Sequence, residues 1–543
     1  MSILQWLTAL MPVLAVAILL VGLRMPASRA MPLALAVTVV LTLTVWQVPG
    51  TYVGAAVIEG LIIGGGVLFI VLGAITLLEV MRASGGLAAI RVEFQRVSHD
   101  SRVQVLLIAW LFVSFIEGAA GFGTPAPVVA PLLITLGFPP LGAAVLALVG
   151  DSSAVTFGAV GTPIIVGIGE GLNLPPTAEE TQQTLLDVAL TAAGIDILVG
   201  LAIPLSLLVL LTRVFARRRT PGAAREMVPL TVLAALAYSV PAFGWTWLLG
   251  VEFGAILGGL TGLVILVLVV KAGFLVPRRT WSVRYGYLDS SENTGSIPTV
   301  TERSMPVWQV WAPYLVLLGL LLLTRLVGPV KEALQGVTLE ADDILGTGIT
   351  GSFQPLYSPG AVFLIAAAVT VLVQRVPTSD LRAVTGRVGP AVLGTGIALA
   401  ASVPLVRVFL NSSENSAGLD SMPVELAAAG AAALGAAWPL VAPVVGALGS
   451  FVSGSATFSH LMFAQLQSDV ATSIGADPTV VLAQQVGGAN AGNLVSATNV
   501  VAVAGVTGQL GKEGAIIART SGPMAVYVAG FALLGFALVA WLG

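Results

Sequence analysis

Apolar residues run in long blocks along this chain, separated by short polar interruptions. Ile3–Leu23, Val251–Val270 and Met524–Leu542 are each about 20 residues of nearly unbroken hydrophobic sequence, the length a helix needs to cross the hydrocarbon core. Blocks of this kind recur throughout. The pattern predicts an all-α polytopic membrane protein with roughly 12–14 transmembrane helices. The short alternating strands of an outer-membrane barrel are not found. The first block is too long and too weakly flanked for a cleaved signal peptide, and it is expected to persist as a transmembrane helix.

The interruptions alternate in charge. Arg24 and Arg29 follow the first block, and Arg82, Arg91, Arg96 and Arg102 fill the next basic loop. Arg213, Arg217, Arg218, Arg219 and Arg225 form a third. Arg278, Arg279, Arg284 and Arg303 lie in the longest polar loop, 272–306, and Arg375, Arg382 and Arg387 in another. Loops 169–186, 328–358 and 411–425 are acidic on balance. The positive-inside rule makes the basic loops cytoplasmic and places the N-terminus outside.

One phrase occurs twice. SFIEGAAGF (Ser114–Phe122) and SFVSGSATF (Ser450–Phe458) agree at five of nine positions. The match continues from VLALVGDSSAVTF (Val145–Phe157) to VLAQQVGGANAGNLV (Val481–Val495), allowing one inserted residue. The first copy leads from a basic loop to an acidic one, the second from an acidic loop to one holding Lys512 and Arg519. Similar segments entering from opposite sides form an inverted-topology repeat, the plan of secondary transporters with a site near the bilayer midplane. The predicted organisation is N-terminal helices over 1–102, a first repeat core over 103–168, connecting and scaffold helices over 169–438, a second, inverted core over 439–508 and a C-terminal helix over 509–543.

Each copy is interrupted. Pro125, Pro127, Pro131, Pro139 and Pro140 cut the first into pieces too short to span, and the second is expected to break at Ser468–Asp469 and at 475–478. Paired re-entrant hairpins fit this pattern. Backbone freed at membrane depth must be satisfied by protein or by a water-filled cavity. Helix N-termini pointing inward would suit an anionic substrate. Small residues that merely let helices pack closely explain many of the single glycines. They do not explain the polar run Asn490, Asn493, Ser496, Thr498, Asn499.

Composition narrows the chemistry. The 543 residues are 57% hydrophobic and 9% charged, against about 25% charged in soluble domains, and mean hydropathy is +0.98. Cysteine is absent, which excludes disulfides and thiolate-based metal or iron–sulfur sites. Net charge is −3 and the basic residues sit in short loops, so nucleic acid has no support as a partner. No cofactor is implied.

At four blocks the chain resembles the lactate permease family: FIEGAAGFGTPAPVVAPLLITLGF (Phe115–Phe138), GDSSAVTFGAVGTPI (Gly150–Ile164), FVSGSATFSHLMFAQLQ (Phe451–Gln467) and GGANAGNLVSATNVVAVAG (Gly487–Gly505). Their order and the total length agree with that family over most of the chain. The resemblance implies a multi-pass permease of the prokaryotic inner membrane that imports L-lactate, D-lactate or glycolate with protons, and it is compatible with a homo-oligomer. Asp151 and His460 depart from the uncharged polar residues usual there, and both bear on substrate and coupling ion.

A hydroxy-carboxylate needs charge compensation and hydrogen bonds to its hydroxyl, and proton coupling needs a titratable group. Ionisable side chains in a membrane are costly and call for a reason. Glu117 lies deep in an apolar run, where its charged form is disfavoured, as a proton carrier or as a tie between helices. Asp151, in the turn GDSS, is a proton or Na⁺ ligand or a helix N-cap. Arg407 follows the apolar ALAASVPLV, either to hold a carboxylate in its planar fork or to snorkel to the interface. His460 titrates near neutrality or is a structural histidine hydrogen-bonded within its hairpin. The remaining substrate contacts are assigned to Gly121, Gly123, Thr124, Ser152, Ser153 and Thr156 in the first copy and to Ser453, Ser455, Thr457, Asn490, Asn493 and Asn499 in the second. Two other functions compete: a Na⁺-coupled carrier of a dicarboxylate or sulfonate, and, remotely, an intramembrane hydrolase using Ser453 or Ser455 with His460. Neither HExxH nor GxSxG occurs.

Overall fold

The computed structural model describes residues 2–19, 23, 25–121, 123–174, 179–217, 222–287 and 305–542. Arg24, Phe122, Arg218, Arg219 and residues 288–304 of loop 272–306, Arg303 among them, lie outside the described residues, as do 175–178 of the first acidic loop.

Among the described residues eleven helices are long and apolar enough to cross a membrane. Four shorter apolar helices accompany them: Ile3–Pro12, Pro125–Thr135, Pro140–Gly150 and Pro359–Val373. The few strands are two or three residues long and form two isolated hairpins, β1 (Trp281–Ser282) with β2 (Gly286–Tyr287) and β3 (Leu339–Ala341) with β4 (Gly351–Phe353). The all-α polytopic architecture read from the apolar blocks is the one adopted.

Twelve helices build and brace the region where the two copies lie, and they are numbered in chain order. α1 (Gly50–Ala83) crosses α7 (Thr378–Leu410) closely, with Gly60 against Pro404 and Gly64 against Leu399. Small residues let the two backbones approach. The first copy runs through α2 (Ser101–Ala120), α3 (Pro125–Thr135) and α4 (Pro140–Gly150). It is followed by α5 (Glu179–Val199) and α6 (Val228–Leu249). The second copy runs through α8 (Trp438–Ser453), α9 (Ala456–Ser473), α10 (Pro478–Asn493) and α11 (Ala497–Thr507), before the last helix, α12 (Glu513–Leu542).

Local chemistry explains the breaks. α2 ends at Gly121, whose φ of 49° and ψ of −151° are open only to glycine. Pro125 starts α3 and Pro140 starts α4, each in the first turn, where the missing N–H costs nothing. At 11 residues apiece these helices reach about 16 Å, roughly half of the hydrocarbon core. They turn back at Gly137 as the proline pattern predicts.

The second hairpin departs from expectation. Ser468–Asp469 does not interrupt it: α9 runs unbroken through both residues. Gln465 Nε2 donates to Asp469 Oδ1 at 2.8 Å, an i,i+4 pair that keeps the polar residues on the helix. The turn falls only at 474–477, so α9 and α10 are longer than α3 and α4, with 18 and 16 residues.

The described part of loop 272–306 is also ordered. Asp100 Oδ2 accepts the Trp281 N–H at 3.0 Å, and Arg102 donates to the Arg279 carbonyl at 2.9 Å. The β1–β2 hairpin is thereby tied to the start of α2.

Candidate functional site

The breaks of the two copies meet. Glu117, Gly123, Gly158 and Thr162 of the first copy face Gly454, Ser455, Thr457 and Asn493 of the second across one small pocket. Its free volume of about 20 Å³ has room for about one water.

Glu117 enters the pocket from the last turn of α2. It is 3% exposed, and its Oε1 packs so closely on Gly158 that a Cβ there has no room. Its carboxyl group meets that of Asp151 within hydrogen-bonding reach. Asp151 ends α4 and is buried at 2% exposure. Its side chain faces the N–H of Ala126 in the first turn of α3. Asp151 therefore caps a helix, though not its own: the break returns α4 to the start of α3. No described ion pair includes Glu117 or Asp151. One oxygen of each, Glu117 Oε2 and Asp151 Oδ1, has no hydrogen-bond partner among the described residues, so two buried carboxyl groups lie together without a cation.

The second copy supplies a different chemistry. Ser453, at the position matching Glu117, donates to the Gly449 carbonyl at 2.7 Å. Chain direction reverses at Gly454, and α9 begins with Ser455 as its N-cap residue, which makes no side-chain cap bond. The start of α9, with no side-chain cap, thus lines the pocket at Gly454–Thr457. Asn493 lines the same pocket, accepting from Asn499 Nδ2 at 2.7 Å, while Asn499 Oδ1 packs on Gly123. Asn490 Nδ2 donates to Thr156 Oγ1 at 2.7 Å, joining α10 to the segment after α4.

Of the residues singled out in the sequence, Glu117, Gly123, Ser455, Thr457 and Asn493 line the pocket. Gly121, Thr124, Asp151, Thr156, Ser453, Asn490 and Asn499 form the layer just behind it. Thr124 donates to the Gly121 carbonyl at 2.7 Å and Ser152 to the Val149 carbonyl at 3.0 Å, so both hydroxyls close local turns. Ser153 points the other way, to Asp196, at 3.2 Å.

Arg407 and His460 are elsewhere. Arg407 is 2% exposed and neither lines the pocket nor snorkels. Its guanidinium is engaged by Glu59, by the Glu170 carbonyl at 2.9 Å and by Asn173 Oδ1 at 2.7 Å, and Asn411 donates to the other Glu59 oxygen at 3.0 Å. His460 is wholly buried, with its Cβ against Gly167, and neither ring nitrogen has a hydrogen-bond partner. The hydrogen-bonded structural histidine expected there is not found. The Ser–His contact that a nucleophilic serine needs is also not formed.

Sequence reasoning missed Glu59, Asp196, Tyr238 and Tyr527. Asp196 accepts from Tyr527 and Ser153. Glu59 and Asp196 each interrupt an apolar helix, which marks an intramembrane ionisable group for attention. That signal was present, but neither residue lies in the duplicated phrases.

Comparison with known proteins identifies a family. The family model described as L-lactate permease matches residues 5–542. The L-lactate permease of Halalkalibacterium halodurans is 27% identical over 519 residues, covering 94% of this chain and 92% of that one. The glycolate permease GlcA of Escherichia coli is 26% identical over 544 residues, covering 95% and 92%. The crystal structure of the Alcanivorax borkumensis YdaH transporter aligns with a TM-score of 0.43 and 18% identity, over 91% of this chain and 88% of that one. With a family match spanning nearly its whole length, the chain belongs to the L-lactate permease family.

Proposed function

We propose that this protein imports a small 2-hydroxymonocarboxylate (L-lactate, D-lactate or glycolate) together with a proton, by alternating access across the cytoplasmic membrane. The observation that carries the reading is the sharing of one pocket by the Glu117 carboxyl and the uncapped N-terminus of α9. A helix N-terminus attracts an anion through its free N–H groups and its dipole. An ionised Glu117 beside it would repel the same anion. Substrate and proton therefore favour each other's presence, which is the coupling a symporter requires. The names of the relatives support lactate and glycolate as cargo. In this reading the two copies are inverted repeats, the basic loops are cytoplasmic, and Ser455, Thr457 and Asn493 hold the substrate's carboxylate and hydroxyl. Asp151 at the start of α3 occupies the place that the substrate carboxylate takes at α9.

The test is uptake of labelled L-lactate into proteoliposomes under an inward proton gradient without sodium, with and without excess glycolate. Accumulation that collapses with a protonophore and is competed by glycolate is the expected result. Uptake driven by a sodium gradient alone, or its absence in correctly inserted protein, would overturn the reading.

A further inference from the structure

Asp196 has no part in the pocket, yet it is the centre of a second buried polar cluster. It lies on α5 at 7% exposure. Its Oδ1 accepts from Tyr527 of α12 and from Ser153 Oγ at 3.2 Å, and the two hydroxyls are 3.5 Å apart. Tyr527 also reaches Asn490 of α10, which is bonded to Thr156. The segment 151–157 thus carries Asp151 toward Glu117, Ser153 toward Asp196 and Thr156 toward the second copy.

An independent feature joins the two clusters. Tyr238 of α6 is wholly buried, its hydroxyl has no hydrogen-bond partner, and it lies in the field of all three carboxyls, Asp196, Glu117 and Asp151. An orphaned hydroxyl at this position is costly unless another state of the protein gives it a partner. The titratable groups facing Asp196 are Tyr527 from α12, Tyr238 from α6 and, beyond Ser153, the Glu117–Asp151 pair. No described lysine, arginine or histidine pairs with it.

We infer that Asp196 is a second proton-holding carboxyl of the transport cycle, exchanging its proton with the Glu117–Asp151 pair through the Ser153 hydroxyl and Tyr238. This rests on the proton-symport reading above. With the proton on the pair, the pocket accepts an anion. Asp151 then gives up a proton, the intervening hydroxyl takes it and passes its own on, and Asp196 gains one, so total charge is unchanged. The pair regains a negative charge beside the substrate, which disfavours rebinding and makes release net, and Asp196 then gives its proton up to the cytoplasmic side. During exchange the pair keeps its proton, and substrate leaves and rebinds without Asp196. Ser153 is two residues from Asp151 and already bonded to Asp196, at the start of the short 3-10 helix Ser153–Phe157, so a small shift of that turn suffices.

The test compares wild-type, Asp196→Asn and Tyr527→Phe proteins in liposomes, by proton-driven accumulation and by exchange of internal for external lactate. Pure exchange needs no net proton movement. Asp196→Asn is expected to retain exchange within about twofold while accumulation falls by about a hundredfold. Tyr527→Phe is expected to displace the pH profile of accumulation. Infrared difference spectra between acid and alkaline pH, taken without substrate, add a readout independent of cargo: a titrating carboxyl band should be present in wild type and missing from Asp196→Asn. Wild-type-like accumulation in Asp196→Asn, loss of exchange and accumulation together, or an unchanged band would each overturn the inference. Should the wild type move no lactate, the symport reading falls and the band alone decides whether Asp196 binds a proton.

Discussion

Thr156 and Asn490 form a direct side-chain bond between the two copies of the repeated phrase, Nδ2 to Oγ1 at 2.7 Å, with both residues buried. Thr156 sits in the short 3-10 helix Ser153–Phe157 after α4 and Asn490 in the second hairpin. A motion that separates the two copies at this point must strain or break this bond. Removing one partner leaves a buried polar group unpaired, at about 1–3 kcal/mol. Asn490→Ala is therefore expected to lower thermal stability and transport together. Thr156→Val should cost less when combined with it than alone. A double-mutant cycle on melting temperature checks this, and simple additivity of the two effects would show that the bond is not formed.

Glu117→Gln keeps the shape and neutrality of a protonated carboxyl. Exchange of bound substrate should survive in this variant, while proton-driven accumulation is lost. The sign of the pH dependence follows. Wild-type uptake should rise as external pH falls, because protonation removes the charge that repels the anion. The variant should lack that rise. Initial rates measured across external pH at fixed internal pH would separate the two profiles.

The glycines at the break have distinct duties. Gly121 needs a backbone conformation that other residues avoid, at about 1–3 kcal/mol. Gly158 gives up its Cβ space to Glu117 Oε1. Gly121→Ala should reduce both expression and melting temperature. Gly158→Ala is expected to displace Glu117, and so to depress accumulation more strongly than stability. A Gly158→Ala protein with an unaltered pH profile would refute the packing argument.

The architecture was legible because lipid leaves the chain few options: apolar length gives helices, and proline and glycine mark where they stop. The pocket was legible because the same phrase occurs twice, which directed attention to Glu117, Gly123, Ser455, Thr457 and Asn493. Two kinds of fact were not. Partners distant in sequence cannot be read from one chain, so Arg407 looked free although Glu59 waits 348 positions earlier. Chemistry outside the repeat was also passed over, and Asp196 and Tyr527 belong to helices that the duplication does not mark. At Ser468–Asp469, polar composition suggested a break, but an i,i+4 hydrogen bond and burial of one helix face kept α9 whole.

Arg407 offers the sharpest test between two roles. Its guanidinium joins Glu59 of α1 to the Glu170 carbonyl and Asn173, which follow the first copy. It thereby ties the α1–α7 pair to the chain leaving the pocket. Removing one member of a buried ion pair costs about 3–5 kcal/mol, because the other is stranded in a low-dielectric interior. Arg407→Met should therefore be poorly stable. Combining it with Glu59→Leu removes both charges and should recover most of the loss. The apparent KM for lactate in the double variant then decides the role. A latch predicts a KM within about threefold of wild type, whereas a carboxylate anchor predicts an increase of about tenfold or more. Because Arg407 does not reach the pocket, the expected outcome is the first: stability restored, KM little changed, and any remaining defect confined to the maximal rate at which the two parts of the protein move past one another.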